Sequence, residues 1–242
     1  MLSQRLSASS KESGAWMFAD TRIRFLINPD EPARDDLLRR LGLDPAVPSK
    51  CSLCPYVFTV DSGPFDHATG CAHSKVNRTA GALVEQAVYR CIKSMEPGAS
   101  RTPVIRHHPL FVETNPNPKL EADIQSIHLG SSVLIDVTYT SKPASSHSTS
   151  ARDRANAVER RKLNEVSKGL EFPPSCFIPM ALDNMGTWSD AMLNYFVEAA
   201  NGQSILPPGT LLHRARILSS LAICEANSLY LQHVRYGRKS ES

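Results

Sequence analysis

Long apolar runs are missing from the sequence, and so are the marks of export. No run reaches the roughly 20 apolar residues that a membrane-spanning helix needs. The polar start, MLSQRLSASSKES, has no apolar core of a signal peptide. Neither sign of charge is in large excess, since the formal net charge is +3, which permits nucleic-acid binding without arguing for it. We therefore expect a protein inside the cell that makes no membrane contact.

The compositional bias of a disordered chain is also missing. The 242 residues are 41% hydrophobic and 21% charged, which is the composition of a globular protein. The length suits one large domain or two small ones. No internal repeat is found, so we do not expect a repeat architecture.

Cysteines do not have the distribution of a disulfide framework. Three of the six cluster with histidines between residues 51 and 73, which favours metal binding. The other three, Cys91, Cys176 and Cys224, lie in apolar stretches. We expect these to be reduced core residues.

The cluster has the spacing of a zinc knuckle. Cys51-x-x-Cys54 presents two thiolates from one turn, and His67-x-x-x-Cys71 can supply two more ligands from a second turn. A tetrahedral Zn²⁺ bound by these four would be structural, because no position is left for a water nucleophile. His73 competes for the fourth place, and a cysteine-rich loop without metal is the alternative.

Two aspartates in apolar surroundings mark residues 119–141. This stretch reads as two strands around a turn at Gly130, with Asp123 in the first strand and Asp136 in the second. Alternation along the second strand places Asp136 on one face with Leu134, opposite Val133 and its partners. Aspartate is depleted in strands, and two close carboxylates repel unless a cation or a proton lies between them. We therefore favour a divalent metal site over two unrelated strand-end aspartates.

Two predicted helices flank this hairpin. Residues 74–94 carry a wide apolar stripe, with Glu85 at its edge. Residues 151–170 form a second helix, in which Lys162 interrupts an apolar row that ends at Leu170. A lysine that points toward a sheet needs anionic partners, and the two aspartates are available. The alternative is that Lys162 extends past its neighbours into water.

The predicted order is helix, strand, strand, strand, helix, strand, with the acids on strands two and three. This order resembles the core of the PD-(D/E)xK, or restriction-endonuclease-like, nucleases. Thr138 stands where that motif usually has lysine and Glu121 where it has proline, but Lys162 suits the position to which the lysine migrates in some branches.

The flanking motifs resemble the C-terminal region of non-LTR retrotransposon polyproteins: SGAW at 13–16, LRRLGL at 38–43, DHAxxC at 66–71, VLIDVT at 133–138, FIPMAL at 177–182 and GTW at 186–188. No YxDD-type reverse transcriptase signature accompanies them.

The resemblance implies a nuclear DNA endonuclease that nicks its target to prime reverse transcription. It implies catalytic Asp123, Asp136 and Lys162, with Mg²⁺ or Mn²⁺ on the aspartates. Glu85 and Glu113 are weaker candidates for the same metal. DNA is the implied partner, and element RNA a further one. We expect the basic helix and the C-terminal basic residues to form one phosphate-binding surface, which includes Arg160, Arg161, Lys168, Arg214 and Arg216.

The implied fold is α/β, or more exactly α+β, with an αβββαβ core. We expect an N-terminal extension with a short helix at 1–48, a CCHC zinc knuckle at 49–73, the nuclease core at 74–202, and a C-terminal helix with a basic tail at 203–242. Two other functions fit the same residues: a zinc-stabilised nucleic-acid-binding remnant without activity, and a structural interaction domain. The sequence does not predict the oligomeric state.

Overall fold

The described part of the chain contains four α-helices, six strands and one 3₁₀ helix at Pro174–Cys176. In the computed structural model, the described residues are 49–58, 67, 71, 76–101, 112–113, 122–140, 150–168, 170–202 and 207–236. The predicted N-terminal helix lies outside them. The helices are α1 (Asn77–Met95), α2 (Ala151–Ser167), α3 (Asp190–Gly202) and α4 (Pro208–Tyr236). The strands are β1 (Ser100–Arg101), β2 (Val112–Glu113), β3 (Ile124–His128), β4 (Ser131–Thr140), β5 (Leu170–Glu171) and β6 (Phe177–Asp183).

Four strands form one mixed sheet, in the order β1-β3-β4-β6. β3 and β4 are an antiparallel hairpin, whereas β4 and β6 run parallel. Parallel neighbours need a crossover connection, and α2 supplies it. Helix α1, strands β1, β3 and β4, helix α2 and strand β6 therefore follow the predicted αβββαβ order, and the α+β fold class is confirmed.

A short ladder between β2 and β5 departs from the prediction. Leu170 was expected to end the second helix, but this helix ends at Ser167. Leu170 instead pairs with Glu113 in an antiparallel bridge, and its side chain is buried with Val166 and Phe177. Burial of this leucine against the sheet therefore outweighs the continuation of the helical row.

The two faces of β4 pack against different helices, as the predicted alternation requires. Val133 and Ile135 lie in the main core, together with buried residues of α1, α3 and α4. Leu134 lies in a second cluster, with Leu163 and Val166 of α2. α2 therefore covers the face of the sheet that also carries Asp136.

Polar contacts fix α2 at its N-terminal half. Ser150 and Asp153 form a reciprocal capping box, which satisfies free N–H groups of the first turn. Arg154 Nη2 lies 3.1 Å from Asp183 Oδ2 at the end of β6. The opposite carboxylate oxygen, Oδ1, accepts hydrogen bonds from the backbone N–H of Met185 at 2.9 Å and of Thr187 at 2.8 Å. This buried ion pair thereby ties α2 to the sheet and to the turn that follows it.

α2 also caps α3. Asn156 Oδ1 accepts from the N–H of Asp190 at 2.8 Å, and Glu159 Oε2 accepts from the N–H of Ala191 at 3.0 Å. The first N–H groups of a helix have no partner within it. Neighbouring side chains supply them here, so α2 and α3 are held in a fixed relation.

The last helix packs against the cysteine-rich segment. Ser52 donates two hydrogen bonds to the end of α4, from its N–H to Val234 O at 3.1 Å and from its hydroxyl to His233 O at 2.8 Å. Cys51 and Cys71 are buried in one cluster with Tyr230 of α4. The cysteine-rich segment thus satisfies carbonyl groups that the end of a helix leaves free.

Membrane-spanning helices were not expected. Within the described residues, no helix combines the length and the apolar character that crossing a bilayer would demand.

Candidate functional site: a Cys/His cluster and an acidic pair

The cysteine-rich segment brings its four predicted ligands together. The ligand atoms of Cys51, Cys54, His67 and Cys71 all lie within 4.8 Å of one another. Cys54 Sγ and His67 Nε2 are 3.3 Å apart. Zinc bonds of about 2.3 Å to sulfur and 2.0 Å to nitrogen, at tetrahedral angles, would separate these atoms by about 3.6 Å. The group therefore fits a zinc ion, with His67 in the place for which His73, outside the described residues, was the competitor.

The surroundings of the four ligands suit metal binding. The N–H of Leu53 donates to Cys51 Sγ at 3.4 Å, which orients the sulfur and would stabilise a thiolate. The His67 ring stacks on Tyr56 with the centroids 4.1 Å apart and the planes at 6°. Burial lowers the pKa of His67, which favours the neutral imidazole that a metal requires. Burial also raises the pKa of the Cys51 thiol, so zinc binding there would release a proton.

The two aspartates face each other across the hairpin. The register pairs Ile124 with Ile135, so Asp123 and Asp136 are the next opposed positions. Asp123 lies just before β3, where its N–H donates to Ile135 O at 3.0 Å. Its carboxylate Oδ2 accepts a hydrogen bond from the N–H of Val137 at 2.6 Å. The hairpin therefore holds the Asp123 side chain against the strand that carries Asp136.

Lys162 reaches this pair from α2. Its Nζ lies 3.1 Å from Asp136 Oδ2, and the two side chains are 29% and 14% exposed, respectively. Asp136 Oδ2 also accepts a hydrogen bond from the Thr138 hydroxyl at 3.3 Å. Thr138 occupies the position where the nuclease motif usually has lysine, and the Lys162 ammonium lies beside the same carboxylate oxygen.

Asp123 differs from an ordinary carboxylate in its protonation. Burial, together with the nearby negative charge of Asp136, raises the pKa of Asp123 to about 7. The hydrogen bond from Val137 and the charge of Lys162 act in the opposite direction. Near neutral pH the carboxyl group of Asp123 is thus protonated in part of the molecules. A divalent cation bound to Asp123 would compete with this proton.

Glu85 lies nearer the edge of this site. Its charge contributes to the raised pKa of Asp123, but its carboxylate pairs with the guanidinium of Arg101 in β1. Among the described residues, only the Cys/His group forms a set of three or more such ligands within 4.8 Å of one another. Glu85, Asp123 and Asp136 are therefore not arranged as three ligands of one ion. The backbone of Glu113 lies in β2, and its side chain is outside the description.

The predicted phosphate-binding residues fall into two groups. Arg160, Arg161 and Lys168 are exposed on or just after α2. Arg214 and Arg216 are half-buried on α4, which packs on the opposite face of the sheet from α2. This placement does not support one continuous surface made from both groups.

Sequence reasoning missed the partners of three charged groups. It did not assign Arg154 to Asp183, Arg101 to Glu85, or the N–H of Val137 to Asp123. Arg154 carried a usable signal, because it lies eight residues before Lys162 and so on the same helical face. Arg101 and Val137 carried none, since their contacts join segments that only the fold brings together.

Comparisons with known proteins do not add a family to these observations. No protein-family model matches the chain, and no curated protein is found to be similar to it. Of the features that the sequence resemblance implies, the structure shows two: a Cys/His group able to bind zinc and an α+β core.

We predict about one zinc per chain in protein purified without chelator, as measured by atomic emission. Cys54→Ser should lose most of the zinc and lower the melting temperature, because bound zinc contributes to folding free energy. Cys176→Ser is the matched control, since Cys176 is a buried cysteine outside the cluster. Zinc content that is equal in the two variants would contradict the assignment of the four ligands.

We also predict that Asp123→Asn removes a pH dependence of stability. The folded-state pKa of Asp123 is about 7 against an ordinary value of 3.8, so its contribution is full below the unfolded pKa and is lost as the pH rises through 7. Without added divalent cations, the stability of the variant relative to the wild type should therefore rise by about 2 kcal/mol from pH 5 to pH 8. Urea unfolding at the two pH values measures this difference.

A second variant, Asp136→Asn, tests the cause of the raised pKa of Asp123. Removing the charge of Asp136 should lower the pKa of Asp123, as followed by ¹³C NMR of its carboxyl group. A pKa of Asp123 near 4 in the wild type would contradict the account.

Proposed function

We propose that the chain is a metal-dependent DNA endonuclease of retrotransposon origin that nicks target DNA to prime reverse transcription. The observation that carries the proposal is the meeting of Asp123, Asp136 and Lys162 on an αβββαβ core. Asp136 and Lys162 are 3.1 Å apart, and Asp123 is bound to the backbone next to Asp136. Isolated surface carboxylates would not require a half-buried lysine, a short hydrogen bond from the backbone and a raised pKa at one place.

The residues of the site divide the work of phosphodiester hydrolysis. Asp123 and Asp136 would hold Mg²⁺ or Mn²⁺, since two carboxylates leave room for the water and phosphate oxygens that Mg²⁺ prefers. The ion would activate a water and stabilise the leaving oxygen. Lys162, on the fixed helix α2, would neutralise charge that develops on the phosphate. Loss of the proton from Asp123, whose pKa is about 7, would accompany binding of the cation.

The departure at Thr138 is compatible with this division. Thr138 and Asp136 share one face of β4, and the hydroxyl donates to the carboxylate. It therefore orients Asp136, while Lys162 supplies the positive charge from the neighbouring helix. Action on chromosomal DNA would place the protein in the nucleus, with element RNA as a second partner.

We predict that wild-type protein relaxes supercoiled plasmid in Mg²⁺ or Mn²⁺. Asp136→Ala should reduce the nicking rate to background, and Lys162→Met should reduce it by about 100-fold or more, the usual loss when a transition-state charge partner is removed. A plasmid nicking assay with both metals measures these rates.

Two controls make this result interpretable. Glu171→Gln changes an exposed carboxylate of β5 and should leave the nicking rate unchanged. DNA affinity of Asp136→Ala should stay within about twofold of the wild type, since base and backbone contacts, not the metal, hold the DNA. If the wild-type protein binds DNA but nicks it with neither metal, the proposed endonuclease activity is refuted.

An inactive nucleic-acid-binding remnant is the second candidate. Glu121 and Thr138 depart from the nuclease motif, and the Lys162–Asp136 ion pair is complete without a metal. The zinc-binding group and the exposed basic side of α2 would serve this function equally well. Salt-dependent DNA binding without nicking is its expected behaviour.

We predict that Arg160 and Arg161 contact phosphates in either case. Replacing both with alanine should weaken DNA binding for all sequences and reduce the salt slope by up to about two, because each released counterion contributes about one. Replacement of both with lysine keeps the charge and should preserve most of the slope. Fluorescence anisotropy between low and high salt measures it, and an unchanged slope in the alanine variant would exclude this surface.

A further inference from the structure

One tyrosine of the sheet lies between the Cys/His group and the strand that carries Asp136. Tyr139 is half-buried on β4, three residues after Asp136. Its side chain packs against the main core and also against the cluster that contains Cys51 and Cys71. Among the described residues, it is the only side chain of the sheet that packs against this second cluster. Helices α1 and α4 also pass through both clusters, but with different side chains in each.

The cysteine-rich segment is attached to the end of α4. Ser52 donates to the carbonyl oxygens of His233 and Val234, and it follows directly on the zinc ligand Cys51. Cys51 is also buried in one cluster with Tyr230 of α4. Segments that bind a structural zinc ion become ordered when the metal binds. Zinc binding would therefore order the surroundings of Tyr230 and the last two turns of α4.

Two contacts connect this part of α4 to Tyr139. The rings of Tyr139 and Tyr230 have centroids 6.5 Å apart and planes at 29°. The Tyr139 hydroxyl donates to Asn227 Oδ1 at 3.0 Å, and Asn227 Nδ2 donates to the carbonyl oxygen of Asn184 at 2.8 Å. Asn227 is 1% exposed, and a buried amide that loses its partners is costly. The position of α4 therefore determines the position of Tyr139.

The donors that hold the two carboxylates are neighbours of Tyr139 on β4. The N–H of Val137 donates to Asp123 Oδ2 at 2.6 Å, and the Thr138 hydroxyl donates to Asp136 Oδ2 at 3.3 Å. Adjacent residues of a strand are joined by rigid peptide planes. A displacement of Tyr139 would therefore also displace the donors to both carboxylates.

We propose that Tyr139 is a positioning residue that couples zinc binding at the Cys/His group to the order of β4 beside Asp123 and Asp136. Loss of zinc would release the cysteine-rich segment and the end of α4, and Tyr139 would lose the contacts that hold it. Such coupling is reciprocal, so a divalent cation on the two carboxylates would raise the affinity for zinc. This last consequence rests on the proposed function, whereas the coupling between zinc and β4 does not.

Amide hydrogen exchange of the full-length protein measures the coupling. The two samples are zinc-loaded protein and protein from which a chelator has removed zinc under reducing conditions. In the wild type, zinc removal should raise the exchange rates of residues 137–140 by about tenfold, a usual size for coupling between sites, and those of residues 230–234 at least as much. Exchange in α3 should change by less than about twofold, because none of its residues lies in the cluster of Cys51 and Cys71.

Two variants test the side chain of Tyr139. Tyr139→Val keeps a good strand former, but valine is too short to contact Tyr230 across the 6.5 Å that separate the rings. In this variant, zinc removal should change the exchange of residues 137–140 by less than about twofold and should still affect residues 230–234. Tyr139→Phe keeps the ring contact and should retain most of the zinc dependence.

Tyr89→Leu is the matched control. Tyr89 is a half-buried tyrosine that packs on the main core but not on the cluster of Cys51 and Cys71. Leucine is a good helix former, so α1 should keep its structure. Zinc removal from this variant should raise the exchange of residues 137–140 as much as in the wild type.

Three results would overturn the proposal. The first is unchanged exchange of residues 137–140 when the wild type loses zinc. The second is an equal rise in exchange throughout β4, α1 and α3, which would be global unfolding. The third is a zinc dependence at residues 137–140 that is the same in Tyr139→Val as in the wild type. The samples contain neither DNA nor Mg²⁺ or Mn²⁺, so the outcome is independent of whether the chain nicks DNA.

Discussion

Two carboxylates that oppose each other across the β3–β4 hairpin are the constraint on which the rest of the site depends. The burial of Asp123 and its repulsion by Asp136 raise the pKa of Asp123 to about 7, and Lys162 offsets the charge of Asp136. Like charges in a partly buried place are costly unless a proton or a cation lies between them. In the function that we propose, a divalent cation would replace the proton and satisfy both carboxylates.

The architecture around the pair serves to hold Lys162 in reach. Arg154 joins α2 to Asp183 at the end of β6, and Asn156 joins α2 to the start of α3. These contacts fix the helix at one end, and Leu163 and Val166 pack it on the sheet at the other. The position of the Lys162 ammonium thus depends on contacts along the whole of α2.

Much of this could be predicted from the sequence where periodicity was informative. The alternation around Asp136 predicted the two faces of β4, and the ligand spacing predicted the Cys/His group. The helical row left Lys162 with two possible directions, toward the sheet or into water. Contacts between distant segments could not be predicted, because a period reports which face a residue occupies and not what covers that face. Leu170 was predicted to lie in a helix, but it pairs with Glu113 in a strand. Arg214 was grouped with Arg160, but it lies half-buried on the other side of the sheet. Both outcomes depend on contacts between distant segments.

The central claim is that Asp123 and Asp136 share one divalent cation beside Lys162. Anomalous diffraction from crystals soaked in Mn²⁺ tests it most directly. The account predicts a manganese peak within about 2.0–2.4 Å of one oxygen from each carboxylate, and its loss in Asp136→Asn. A peak elsewhere with none between the two carboxylates, or an ordered Lys162–Asp136 ion pair unchanged at saturating Mn²⁺, would contradict it.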